Sequence, residues 1–185
     1  MKDILDFWFL DGADTPRMAW FRKDAAFDAE IGARFGALVA PAREGALDGW
    51  AATPHGALAL LILLDQFPRN LFRASSEAFA GDAHARALAH RAVLAQRMDK
   101  ALTPVQRVFL YLPFEHAEDL PAQDISVALF EGLRDHPGLF SNIDYAWRHR
   151  AVIARFGRFP HRNAVLGRIN TPAEAAYLAQ PGAGF

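Results

Sequence analysis

From Ala57 to Leu64 every residue is apolar, and the run follows a Thr53-Pro54 pair. Threonine is a good helix N-cap, and proline suits the first helical position because its missing N–H would be unpaired there anyway. The pair predicts a helix over 54–66. Leu58, Leu60, Leu61, Ile62, Leu63 and Leu64 leave that helix no polar face. A helix apolar all round has to be enclosed by other elements. The run is far short of the ~20 residues a membrane span needs. The rest of the chain must therefore wrap it.

The wrapping elements read as helices. All four threonines, Thr15, Thr53, Thr103 and Thr171, precede a proline. Thr103-Pro-Val-Gln106 and Thr171-Pro-Ala-Glu174 add the back-reaching residue of a capping box. Alanine is abundant and alternating β-branched runs are absent, so the chain is predicted to be all-α. A short apolar helix over 3–10 carries Phe7, Trp8 and Phe9. A helix over 24–43 places Phe27, Ile31, Phe35, Leu38 and Val39 at helical spacing. Phe67-Pro68 is expected to end the central helix, with 69–73 as a turn, because the residue before proline is pushed out of the helical region. Asp82 is expected to cap a helix to about Met98. Pro113 is expected to interrupt the helix opened by Thr103, leaving 114–119 as a polar turn. Helices over 121–134, from Ser141 or Asn142 to Phe156, and 172–178 complete the count. Short loops and no visible linker imply one domain over 1–185. The expected architecture is antiparallel helix pairs in a degenerate, tetratricopeptide-repeat-like superhelical array.

The 185 residues are 52% hydrophobic and 22% charged, with a net charge of −1. No global field favours nucleic acid or an anionic membrane, and neither is expected as a partner. The chain has no cysteine. That excludes disulfides, thiolate metal sites and a cysteine nucleophile, and it fits a reducing compartment. The acidic N-terminus lacks a signal-peptide core, so a cytoplasmic location is the expectation.

Polar chemistry concentrates in three places. Between Val108 and Leu133 there is no Lys or Arg but there are Glu115, Glu118, Asp119, Asp124 and Glu131. Between Tyr145 and Ala173 there is no Asp or Glu but there are six arginines. The densest stretch is Arg155-Phe156-Gly157-Arg158-Phe159-Pro160-His161-Arg162-Asn163. Phe67-Pro68-Arg69-Asn70 echoes its second half. One reading pairs the two segments in an internal ion-pair network, since arginine forks match carboxylates. A second makes the arginine-rich stretch an anion site, rich in donors and poor in acceptors. Glu115, His116, Glu118 and Asp119 have oxygen and imidazole ligands for a metal, but not the spacing of a known metal motif, and neither a metal nor a cofactor is expected. His116 and His149 have the side chain for acid–base work near neutral pH, and both also suit a satisfied core position. Tyr111, Trp147, Phe156 and Phe159 are expected in the core.

Leu64 to Asn70, Tyr111 to Asp119 with Gln123, and Arg155 to Asn163 with Leu166-Gly167-Arg168 resemble an uncharacterised bacterial family, domain of unknown function 924. The resemblance covers nearly the whole chain. It implies an all-α, tetratricopeptide-like fold and no established activity. Ala117 and Asn170 stand where the family commonly has serine, which argues against a seryl nucleophile at either place. A chemistry shared by the family would draw on His116 and His161 for proton transfer. Asp65, Gln66, Arg69, Glu115, His149, Arg158, Arg162 and Asn163, with Arg155 from the arginine-rich stretch, would bind the ligand. Two functions follow as expectations. One is a pocket for a small anion, built where helix ends meet. The other is a helical-repeat scaffold for a protein partner, with the motif residues as internal struts.

Overall fold

The computed structural model describes residues 1–184. In chain order it contains α1 (Lys2–Trp8), α2 (Ala25–Arg43), α3 (Pro54–Leu61), α4 (Phe67–Leu71), α5 (Asp82–Ala89), α6 (Pro104–Glu115), α7 (Leu120–Glu131), α8 (Phe140–Phe156) and α9 (Pro172–Leu178). Turns, 3-10 segments and two π-helical turns join them, and no strand occurs among the described residues. No helix there is long and apolar enough to cross a membrane.

The apolar run is the centre. Ala57 to Leu64 have no exposed surface. α1, α5 and α6 pack around α3, α2 covers its continuation, and α7 and α8 extend the stack beyond α6. Trp8 closes one end, with Trp20, Phe27, Phe67 and Phe109 around its ring at 5.5–6.0 Å. A smaller cluster of Val152, Ile153 and Phe159, with Phe156 and Tyr177 against it, fastens the C-terminal segment and α9 to α8.

Thr53, Thr103 and Thr171 each cap a helix, and the last two complete their capping boxes. Thr15 opens no α-helix. Arg17 donates to the carbonyls of Phe7 and Trp8, and the Trp20 indole donates to Trp8, so this segment folds back over the end of α1.

The prolines break less than expected. α3 runs through a π-helical turn, Ile62–Gln66, directly into α4, with Pro68 in its first turn. The wider turn absorbs the proline, so Arg69 and Asn70 are helical. Gly81 packs against the Leu64 carbonyl oxygen, where a Cβ would stand only 2.5 Å away. α6 likewise runs through Pro113 to Glu115. Asp82 makes no capping bond; it begins α5, which continues as a π turn, His90–Ala95, and stops short of Met98. Trp147 is not in the core. It is 47% exposed and donates to Glu131.

Candidate functional site

Unbroken helices at both prolines bring helix ends to one place. A cavity of about 520 Å³ opens between the Gln66–Arg73 stretch, the end of α6, the start of α8 and the His161-Arg162 turn. Gln66, Arg69, Glu115, His116, His149, His161 and Arg162 all line it. Asp65 stands directly behind, fully buried.

Asp65 and His116 form a dyad, with His116 Nδ1 2.8 Å from Asp65 Oδ1. Asp65 also accepts from Gln66 at 2.5 Å and lies 3.2 Å from Arg69. Burial opposes its charge, but Arg69 and His116 outweigh burial and hold the carboxyl well below the usual range. An ionised Asp65 fixes the proton of His116 on Nδ1 and leaves Nε2 as an acceptor. Burial, helped by Arg69, lowers the His116 pKa even against the pull of Asp65. The imidazole is therefore neutral at pH 7 and only 13% exposed.

Glu115 is next to His116 in sequence and 3% exposed. Burial, then the Asp65 charge, push its carboxyl up to about 8. His149 Nδ1 lies 3.2 Å from Glu115 Oε1 and donates to the Tyr145 carbonyl at 2.8 Å. Burial, with His116 nearby, drops His149 to about 3. At pH 7 this contact is a carboxylic acid beside a neutral imidazole, not an ion pair. Glu115 Oε2 is buried with no hydrogen-bond partner.

The two echoed motifs converge. Arg69 donates to both oxygens of Asp82 at 2.9 and 3.0 Å, and Arg162 reaches the same carboxylate at 3.4 Å. Arg162 also donates to the His116 carbonyl at 3.1 Å and lies between the rings of Phe79 and Phe159 at 4.6 and 4.5 Å. Burial, then Arg69, lower its pKa to about 10, so it stays charged. Four arginines line the cavity, Arg22 and Arg73 with these two. Asp65, Asp82 and Asp28 oppose them. With Glu115 protonated, positive charge remains.

The other expected residues lie elsewhere. Arg158 forms a bidentate pair with Glu174 at 2.6 and 2.8 Å, which holds α9. Arg155 lies over the Phe156 ring, outside the cavity. Asn163 is fully buried and donates to Asn170 at 2.7 Å. Glu118 pairs with Arg168 and Asp119 with Arg86. No group of three or more ligating side chains suited to a metal occurs among the described residues. Asp82, Phe79, Arg22, Arg73 and Tyr145 were not legible as site residues. Asp82 resembled a helix cap, and nothing in its neighbourhood signals two arginine partners.

The model of a bacterial protein family of unknown function, DUF924, matches residues 4–182. This chain belongs to that family. The family member is also similar to a solved structure, a protein of unknown function, ATU0120 from Agrobacterium tumefaciens. The two share 43% identity over 97% of each chain, with a TM-score of 0.86. No protein of curated function matches.

Proposed function

We propose that this DUF924 member binds a small organic anion in the cavity at the end of α6. The observation that carries the reading is the convergence of four arginines on a concave, partly apolar cavity also lined by His116, which Asp65 backs, and by Glu115, which has a buried, unpartnered oxygen. Cavities of this size, mostly apolar with a few convergent polar groups, are typical of small-molecule sites. Should the ligand react there, His116 Nε2 is the proton acceptor and Glu115 the donor.

The test is thermal unfolding against monocarboxylates, dicarboxylates, inorganic phosphate and nucleotides. A ligand at a hundredfold its Kd adds ~2.7 kcal/mol, a rise of roughly 5–10 °C for a chain this long. The rise should vanish in Arg162→Gln and survive in Arg158→Ala. No rise with any anion would sink the reading.

A second reading treats the helix pairs as a degenerate tetratricopeptide-like array that docks a protein partner. The Arg158–Glu174 and Arg168–Glu118 pairs favour it for the C-terminal motif, because both act as struts.

A further inference from the structure

The cavity wall carries more than positive charge. His116 and Glu115, consecutive at the end of α6, both line the cavity, one as an acceptor and the other as a donor. His116 Nδ1 is committed to Asp65, so Nε2 is the acceptor that remains. Glu115 has one buried oxygen with no partner. A hydroxyl is the simplest group that satisfies both at once, since it donates one hydrogen bond and accepts another. An ammonium only donates, and the surrounding arginines repel it.

Arg162 fixes where the ligand's charge belongs. Its Nη1 is 3.1 Å from the carbonyl of His116 itself, so the guanidinium and the imidazole lie within one small molecule's reach. Trp20, Phe21, Phe79, Leu112 and Tyr145 form the apolar remainder of the lining. Phe21 is 60% exposed and Tyr145 45% exposed, as rings at a cavity mouth would be.

From this juxtaposition we infer that the ligand class is a 2-hydroxycarboxylate with an apolar body. Its hydroxyl lies between His116 and Glu115, its carboxylate on Arg162, and its body against the aromatic lining. The inference rests on the anion-site reading above and narrows it.

The test is calorimetric titration at pH 7 with four probes of one shape: 3-phenyllactate, 3-phenylpropionate, phenylalanine and 3-phenyl-1,2-propanediol. Phenyllactate should bind at least tenfold more tightly than phenylpropionate, phenylalanine more weakly than either, and the diol not measurably. Glu115→Gln, which keeps a donor, should retain the preference. Glu115→Met and His116→Phe should abolish it, while Arg150→Ala, outside the lining and paired with Asp124, should leave it intact. Equal affinity for phenyllactate and phenylpropionate overturns the hydroxyl assignment and leaves the anion site standing. Binding of phosphate or a dicarboxylate without phenyllactate overturns the apolar body. Binding of no anion at all removes both the site and its ligand class.

Discussion

Asp65 shapes two neighbours with one charge. It holds the Nδ1 proton of His116, and it is the second cause, after burial, of the raised Glu115 carboxyl. Asp65→Asn keeps the shape and removes the charge. Glu115 should then titrate below its present value of about 8 and still above an ordinary carboxylate, because its burial is unchanged. A carboxyl carbon NMR titration reads this directly, and an unmoved Glu115 would refute the coupling. The same variant leaves Arg69 with only Asp82 as a counter-charge. A loss of roughly 3 kcal/mol in urea unfolding is expected, since breaking a buried pair is costly.

Among the elements, α3 opens the unbroken buried run at the centre, and α9 buries only Glu174. Leu61 has no exposed surface and sits where α3 meets the π turn. Leu61→Ala should cost about 3 kcal/mol, lowering Tm by roughly 6–12 °C, as large-to-small changes in close-packed cores do. A loss below about 1 kcal/mol would mean that the helix is less enclosed than its burial indicates. Arg158→Ala should instead loosen α9 alone, because the bidentate Glu174 contact ties it to the turn after α8. Hydrogen exchange should rise across 172–178 while α3 stays protected. The cap-to-cap reading of α6 and α9 was legible in four residues of sequence each. The continuity of α3 into α4 was not, because proline's local cost is visible in sequence and the π turn that absorbs it is a tertiary outcome.

At the scale of the whole molecule, buried titrating groups set a pH profile. His149 and His161 are pushed down to about 3 and 4 from an ordinary 6.5. Between those values and 6.5 the unfolded chain binds protons the native state refuses, so stability rises with pH. Glu115 acts the other way. Between its ordinary 4.5 and about 8, the native state keeps a proton the unfolded chain gives up. Stability from this group is complete at low pH and is lost as pH rises. Above 6.5 it acts without the histidines, so stability should peak near pH 6.5 and fall toward 8 by up to about 1.4 kcal/mol per pH unit. Glu115→Gln should flatten that fall, and a flat profile in the parent protein would contradict the protonated Glu115. The sequence by itself determined the all-helical class, the buried central helix and three capped helix starts, because burial patterns and caps are properties of near neighbours. It also marked most of the polar residues that line the cavity. Only the tertiary structure decided which of them share a wall. Arg69 and Arg162 meet on Asp82, and Arg158 turns away to Glu174, because pairing between distant helices depends on packing angles that no local pattern encodes.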